Sequence, residues 1–316
     1  MIFIYIACIL IPILLLTLCI LYYFTKRTFA RGPAVYDIEK VLKNEPEQLK
    51  MISKGREELK SMPYEEHQIT SFDNLKLVGY LYRTKEKSGK YIICMHGYRS
   101  SPEDFMCAMG FFISLGYNVL TVNQRAHGKS EGKWITFGVK ERYDCLSWCN
   151  YLVNTFGNGI DIVLDGLSMG ATTVLMASAL DLPKNVKGII ADCGFSSPWD
   201  IVTHVAKTDM HIPKFPLLYL MLPAVKVIAG FGLKEASTVD SVTKSKLPIL
   251  YTHGLSDDFV PHDMSLKAYN ARPDNSRMLS VEGAKHGLSY IVDEEKCKNE
   301  LRIFLTEAVV NGRFPE

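Results

Sequence analysis

The chain has 316 residues, a formal net charge of +2 and 47% hydrophobic residues. This length is compatible with one α/β domain and an additional segment, and it is sufficient to bury a large core. The near-neutral charge disfavours nucleic acid as a main partner, because phosphate binding requires a clustered basic face.

The first 24 residues form an apolar run without a charged side chain. A helix of this length crosses a bilayer core of about 30 Å, and membrane helices tolerate a proline such as Pro12. A cleaved signal peptide is the alternative, but it would have a basic segment before a shorter apolar run. We therefore expect residues 1–25 to be a single-pass membrane anchor. Lys26, Arg27 and Arg31 follow it, which favours a cytoplasmic location for the rest of the chain by the positive-inside rule.

Residues 26–63 are rich in charge and carry apolar residues at helical spacing. The pattern predicts a helical linker that packs on the edge of a domain or stands between membrane and domain. From residue 64 to residue 316, strand patterns alternate with helix patterns, beginning with strands near residues 67–72 and 75–82. This alternation predicts one α/β domain whose mostly parallel sheet is covered by helices.

The run Gly166-Leu167-Ser168-Met169-Gly170 lies between a strand pattern and a helix pattern. A G-x-S-x-G run in this context is typical of the nucleophile elbow, a tight turn that needs small residues two positions on either side of the serine. The turn presents the serine hydroxyl at a helix N-terminus, where an oxyanion is stabilised. We therefore predict that Ser168 is a catalytic nucleophile.

An acid and a histidine follow Ser168 along the chain, each in a loop after a strand pattern. His286 would take the proton of Ser168 during attack and return it to the leaving group. The acid would hold the imidazole in the correct tautomer and stabilise the imidazolium. Asp257 and Asp258 are the candidate acids of the loop, and Asp192 is the candidate outside it.

The loop after the strand pattern at residues 90–95 begins with His96-Gly97-Tyr98. In the elbow arrangement, one amide of the oxyanion hole comes from such a loop and the other from the residue after the nucleophile. We therefore assign the backbone N–H groups of Tyr98 and Met169 to the oxyanion hole. His96 is interpreted as a structural loop histidine, because His286 has the better position for a base.

Residues 195–246 interrupt the alternation of strands and helices. In the α/β-hydrolase superfamily, which the elbow and its partner loops resemble, an insertion at this point commonly forms a lid over the active site. The resemblance therefore implies a helical lid, and we expect its apolar stretch at residues 215–233 to meet the acyl part of a substrate. A buried core helix and a second membrane helix are the alternatives, and Pro216 and Pro223 argue against the second of these. The candidate residues for lining the substrate site are Trp199, Phe215, Leu218, Tyr219 and Leu222.

The cysteines have the pattern of small buried hydrophobes rather than of a disulfide framework. Cys145 and Cys149 could share one face of a predicted helix, but the sequence contains neither C-x-x-C nor H-E-x-x-H. We expect no metal site.

Together these runs resemble the α/β-hydrolase superfamily, and more narrowly its bacterial, membrane-anchored branch of uncharacterised, Bem46-like hydrolases. In the H-G-x-x-D pattern of this superfamily the acid corresponds to Asp257. Ala126 departs from the usual R-G-H-G-x-S pattern, in a loop turn rather than in the triad. Besides the elbow, the resemblance rests on His96-Gly97-Tyr98, on residues 123–130, on His253-Gly254-Leu255-Ser256-Asp257 and on Gly283-Ala284-Lys285-His286.

The resemblance implies an α/β-hydrolase fold and ester hydrolysis without a cofactor. We expect a serine esterase that cleaves carboxylic esters through an acyl-enzyme intermediate, with a small acyl ester and the membrane as its partners. A peptidase or amidase would use the same triad and is the alternative enzyme. A non-catalytic, membrane-bound binding protein is the alternative outside enzymes, and the intact triad argues against it.

Overall fold

The computed structural model of the chain describes residues 1–33 and 38–315. Eight strands of the described part form one sheet. They are β1 (Glu65–Thr70), β2 (Lys76–Tyr82), β3 (Lys90–Met95), β4 (Tyr117–Asn123), β5 (Asp161–Leu167), β6 (Val186–Asp192), β7 (Ile249–Gly254) and β8 (Ser276–Val281).

The spatial order of the strands is β1-β2-β4-β3-β5-β6-β7-β8. β2 pairs antiparallel with both β1 and β4, and all other neighbours are parallel. The predicted fold class, a mostly parallel sheet covered by helices, is confirmed.

Helices cover both faces of the sheet. The α-helices are α1 (Ile2–Phe29), α2 (Ile38–Val41), α3 (Pro46–Ser61), α4 (Met106–Ser114), α5 (Glu141–Phe156), α6 (Met169–Ala177), α7 (Pro198–Thr208), α8 (Tyr219–Ala229), α9 (Thr238–Val242), α10 (His262–Ala271), α11 (Ser289–Val292), α12 (Glu294–Ile303) and α13 (Val309–Asn311). Short turns of other helical types cover Pro102–Phe105, Lys214–Leu218 and Phe304–Ala308.

Two apolar clusters form the core, one on each face of the sheet. The neighbouring residues Ile92 and Ile93 belong to different clusters, because successive side chains of a strand point to opposite faces. Trp148 of α5 packs on one face and Phe112 of α4 on the other. This double cover explains why the central strands read as nearly continuous apolar runs.

Helix α1 is longer than the predicted anchor of residues 1–25. Most of its described side chains before residue 21 are exposed, whereas Leu21, Thr25 and Phe29, spaced by four residues on one helix face, are buried in the domain. It is the one helix among the described residues that is long and apolar enough to cross a membrane.

The predicted linker packs on the domain rather than standing apart from it. Ile52, Gly55 and Leu59 of α3 are buried, and a Cβ atom on Gly55 would lie 3.2 Å from the backbone of Met106 in α4. Residues 34–37 of the linker lie outside the described residues.

The chain between β6 and β7 is helical, and we call residues 195–246 the insertion. It contains α7, α8 and α9. Its apolar side chains form a third cluster with the end of α1, in which Met221 and Val225 of α8 accompany Leu21 and Phe29 of α1. The insertion is thus joined to the N-terminal helix, a contact that the sequence did not predict.

Candidate active site

The turn between β5 and α6 has the strained backbone that the elbow pattern predicts. Ser168 has φ 56° and ψ −113°, a positive φ that is uncommon for a residue with a side chain. A Cβ atom on Gly166 would lie 2.3 Å from the Gly170 carbonyl group, and one on Gly170 would lie 1.7 Å from the Met95 carbonyl oxygen. Both glycines are therefore required by close approach of backbone, and the turn holds the Ser168 hydroxyl at the start of α6.

Ser168, His286 and Asp257 form one chain of hydrogen bonds. His286 Nε2 lies 2.9 Å from Ser168 Oγ, and His286 Nδ1 lies 2.7 Å from Asp257 Oδ2. All three residues are buried. Because a carboxylate only accepts, Nδ1 carries the proton and Nε2 is left to accept the hydrogen of Ser168.

These residues meet because they follow the carboxyl ends of neighbouring parallel strands. Ser168 follows β5, Asp257 lies three residues after β7 and His286 lies five residues after β8. Ligands and reactive groups of open α/β sheets gather at this edge.

Asp257 receives four hydrogen bonds. Oδ2 also accepts from His253 Nε2 at 3.1 Å, and Oδ1 accepts from the backbone N–H groups of Phe259 and Val260 at 3.1 and 2.8 Å. Burial by itself raises the pKa of Asp257, but the hydrogen bonds from His253 and His286 outweigh it and lower the pKa to about 2. The Asp257 carboxylate therefore stays charged at neutral pH.

His253 is a site residue that the sequence analysis did not single out. It is fully buried, and its Nδ1 lies 2.7 Å from Ser265 Oγ. The only sequence signal was its place as the first residue of the H-G-x-x-D run, four positions before Asp257. A histidine is suitable at position 253 because its Nε2–H can donate to the Asp257 carboxylate.

The loop that carries Tyr98 lies against the nucleophile. A Cβ atom on Gly97 would be 3.6 Å from Ser168 Cβ. The amides on either side of Tyr98 are held, since Gly97 N–H donates to Asp104 Oδ2 at 2.8 Å and Arg99 N–H donates to His127 Nε2 at 2.9 Å. The loop is therefore fixed in place next to Ser168.

Asp104 and His127 were also missed in the sequence, since nothing in the local pattern marks a residue that supports a loop. Asp104 accepts a second hydrogen bond, from Ser100 Oγ, and burial raises its pKa. Burial also lowers the pKa of His127 to about 3, so its ring stays neutral and can accept the Arg99 amide.

His96 has the structural role assigned to it from the sequence. Its Nδ1 lies 2.8 Å from the Gly97 carbonyl oxygen, and its Nε2 accepts the Gln124 amide at 3.1 Å. Burial lowers the pKa of His96 to about 4. Both ring nitrogens are engaged by backbone, so the ring is not available as a general base.

A cavity of about 1060 Å³ adjoins Ser168 and His286. Asp165 and Asp192 line it, and burial raises the pKa of both, to about 6 for Asp192. Apolar residues also line it, among them Phe105, Met106, Phe112, Ile190 and Leu301. Further charged residues of the lining are Arg31, Glu39, Arg56, Arg99 and Glu103.

The five candidate lid residues lie away from this cavity, and none of them lines it. Phe215 and Tyr219 are exposed at 76% and 49%, and Leu218 is buried in the cluster of the insertion with the end of α1. Trp199 packs edge to face with Tyr219. Leu222 packs in the same cluster as Leu218. The apolar pattern of the insertion reflects its packing and its outer surface. Asp209, a polar residue after α7, is its contribution to the cavity lining.

One group of possible metal donors lies at the site. Ligand atoms of Cys193, Asp257 and His286 lie within 4.8 Å of one another. Burial raises the pKa of the Cys193 thiol well above its ordinary value, which opposes the thiolate that a metal requires. The carboxylate and imidazole are already joined in the triad, so the arrangement is better suited to proton transfer from Ser168.

The sheet, the elbow and the hydrogen-bonded triad define a serine hydrolase of the α/β-hydrolase fold. The prolyl oligopeptidase family (Peptidase_S9) matches residues 103–311, more than half of the chain. The chain therefore belongs to the prolyl oligopeptidase family.

The chain is also similar to individual proteins. It is 26% identical over 227 residues to the uncharacterized protein YqkD of Bacillus subtilis (strain 168), covering 72% of this chain and 74% of YqkD. The Pyrococcus furiosus esterase Pf2001 is 25% identical, with a TM-score of 0.65 over 88% of this chain and 97% of the esterase. Est1E of Butyrivibrio proteoclasticus, solved with ferulic acid bound, shares the fold at 21% identity and a TM-score of 0.61, over 78% of this chain and 100% of Est1E.

Proposed function

We propose that this protein is a serine esterase that cleaves carboxylic esters through an acyl-enzyme intermediate. The hydrogen-bonded chain from Ser168 through His286 to Asp257 is the observation that carries the proposal. The same arrangement would serve amide hydrolysis, so the choice of ester depends on further features.

In the proposed mechanism, His286 Nε2 takes the proton of Ser168 as Oγ attacks the ester carbonyl. The N–H groups of Tyr98 and Met169 donate to the oxyanion, an interaction whose loss typically costs about 100- to 1,000-fold in turnover. His286 then protonates the leaving alcohol. Water attacks the acyl-enzyme by the reverse sequence of proton transfers, and Asp257 stabilises the imidazolium throughout.

The apolar wall formed by Phe105, Met106, Phe112, Ile190 and Leu301 is the proposed acyl site. Each buried methylene contributes about 0.8 kcal/mol, so kcat/KM should rise with acyl length until the cavity is full. This assignment replaces the five lid residues, none of which lines the cavity.

Comparison with known proteins supports an ester substrate but leaves a peptidase as the second candidate. Pf2001 is named as an esterase. The family that matches the chain is named for an oligopeptidase, which is the observation that favours the peptidase. The narrower resemblance to membrane-anchored, Bem46-like hydrolases is also part of the proposal, and the likeness to YqkD is compatible with it.

A fluorophosphonate probe tests the nucleophile. Ser168→Ala should abolish labelling and ester turnover while its thermal unfolding remains close to that of the wild type. Ser256→Ala, an exposed serine in the acid loop, is the matched control and should label normally. Labelling that persists in folded Ser168→Ala would show another nucleophile. A panel of acyl esters and the corresponding amides then separates esterase from peptidase, since the esterase proposal fails if only amides are cleaved.

We further propose that α1 anchors the chain in a membrane, with the hydrolase domain from about residue 64 on the cytoplasmic side. The start of β1 at Glu65 supports this domain boundary. Lys26 and Arg27 in the last turn of α1 support the orientation. Protease added outside intact cells should leave the domain whole and should digest it after the membrane is opened. Digestion in intact cells would reverse the orientation, and release of the domain from the N-terminal segment during maturation would favour the signal peptide.

A further inference from the structure

Helix α8 is apolar on two opposite faces. Its inner face carries the buried residues Met221, Val225 and Ala229. Its outer face has Leu220 and Val227, seven positions apart and exposed at 43% and 84%, with the exposed Pro223 between them. The outer face of a helix on a soluble domain is normally polar. We therefore expect the outer face of α8 (Leu220, Pro223 and Val227) to lie against an apolar environment.

The position of α8 identifies that environment. Its inner face packs against the last turns of α1, where Leu21 and Phe29 are buried. Residues 1–20 precede this contact, and at about 1.5 Å per residue they extend about 30 Å, the thickness of a bilayer core. If these residues span the membrane, α8 lies beside the segment that emerges from it.

Exposed aromatic and basic residues lie on or directly before these two helices. Tyr22 and Tyr23 of α1 are about half exposed, as is typical of side chains at the membrane interface. Lys214 and Lys226 are exposed and are the only charged residues from 210 to 230. Both are positive, which is complementary to anionic headgroups.

The active-site cavity reaches the same region. Arg31 and Gly32, which follow the C-cap residue Ala30 of α1, line it together with Ser168 and His286. An ester held at the membrane surface beside the end of α1 would therefore lie close to this part of the cavity lining.

We propose that the outer face of α8 lies in the bilayer interface beside α1, and that the enzyme takes its ester substrate from the bilayer. The occupant of this apolar face is lipid. The first part rests on the proposed anchor, and the second rests on the proposed esterase activity. The substrate class is accordingly an amphiphilic acyl ester whose ester group lies at headgroup depth.

Spin labels on the full-length chain test the first part. Leu220→Cys and Val227→Cys are labelled in a Cys8→Ser/Cys19→Ser background, which removes the two exposed cysteines of α1. Val310→Cys is the matched control, because Val310 is 68% exposed on α13. The residue after α13, Gly312, accepts a hydrogen bond from Asn275. Asn275 directly precedes β8, so α13 lies near the amino ends of the strands, away from the carboxyl ends that carry the active site.

The chain is reconstituted in vesicles of phosphatidylcholine and phosphatidylglycerol. Labels at 220 and 227 should collide more often with oxygen, which partitions into lipid, than with a water-soluble nickel chelate. The label at 310 should show the opposite preference. A preference for the nickel chelate at 220 and 227, equal to that at 310, would overturn the proposed membrane contact.

Turnover tests the second part. Leu220→Ser/Val227→Ser should lower kcat/KM about tenfold for a long-chain ester carried in the vesicles, because the loss of apolar burial weakens contact with the bilayer. Turnover of a water-soluble acetate ester should not change, and Val310→Ser should affect neither substrate. An equal loss on both esters, or no loss on either, contradicts delivery from the bilayer. If the wild type cleaves no ester, the proposed function itself fails, while the spin labels still decide where α8 lies.

Discussion

Replacing Asp257 with asparagine tests the triad at the point where the structure is most specific. The carboxylate accepts from His286 and His253 through Oδ2 and from two backbone amides through Oδ1. Asparagine has a single acceptor oxygen. If that oxygen keeps the two backbone donors, the amide NH₂ group faces His286 Nδ1. The ring then takes the tautomer with its proton on Nε2, which cannot accept the proton of Ser168.

We expect Asp257→Asn to lose much of its turnover, although the substitution changes only one atom of the side chain. The corresponding substitution in another serine hydrolase costs about 10⁴-fold in kcat, equivalent to about 5 kcal/mol of transition-state stabilisation. Stability should change less. The lowering of the Asp257 pKa from 3.8 to about 2 corresponds to about 2 kcal/mol that favours the folded state above pH 4 and is lost as the pH falls toward 2. Turnover should therefore fall far more than the free energy of unfolding.

The assay is hydrolysis of a short-chain nitrophenyl ester, normalised by fluorophosphonate titration, with thermal unfolding measured on the same samples. Asp258→Asn is the matched control, because it makes the same charge change at the exposed neighbouring residue and should alter turnover no more than about twofold. Near-normal turnover in Asp257→Asn, with collapse in Asp258→Asn or Asp192→Asn, would refute the assignment of the acid.

Two further predictions follow from the same site. Gly170→Ala should destabilise the fold by about 3 kcal/mol or more in denaturant unfolding and abolish turnover, because its Cβ would overlap the Met95 carbonyl group. Gly159→Ala is the control and should be neutral, since no atom lies within 4 Å of the added Cβ. An equal effect of the two substitutions would contradict the packing argument. Asp192→Asn should retain activity, and its free energy of unfolding at pH 8 should exceed that of the wild type by about 1–3 kcal/mol. Burial, and after it the Asp257 charge, raises the Asp192 pKa to about 6. The wild type therefore loses stability as the pH rises through that value, whereas asparagine does not ionise. The gain should vanish below pH 4, and a gain that is independent of pH would show a different cause.

The elements that carry the site could be predicted because their sequence signals are local. β3 has the predicted bounds, and β5 and α6 lie on the two sides of the elbow, as the pattern predicts. The residues proposed for catalysis each follow a strand, and parallel strands bring their carboxyl ends to one edge. Ser168, Asp257 and His286 could thus be expected to meet without knowledge of any long-range contact. The elbow glycines could also be predicted from the sequence, because the tight turn leaves room for a hydrogen atom but not for a side chain at those two positions.

The lining of the cavity could not be predicted, because it depends on packing between segments that are distant in sequence. The apolar pattern of the insertion is equally compatible with a lid over a substrate, a core helix or a surface against lipid. These three interpretations differ in what each face of the helix contacts, and one face of α8 contacts α1. A helix pattern records that a face is apolar but not which molecule covers it.

The end of α1 shows most clearly why composition alone describes such a helix incompletely. The Thr28 carbonyl oxygen accepts from Tyr98 Oη at 2.6 Å, and the carbonyl oxygens of Arg27 and Ala30 accept from Arg99 Nη2 at 2.7 and 2.9 Å. These carbonyl groups are at a helix C-terminus, where intrahelical partners are lacking and a cation is favourable. The loop proposed to supply an oxyanion donor is therefore held from one side by Asp104 and from the other by the end of α1. The N-terminal helix is part of the framework of the active site, and its position in a membrane would bear directly on the loop that faces Ser168.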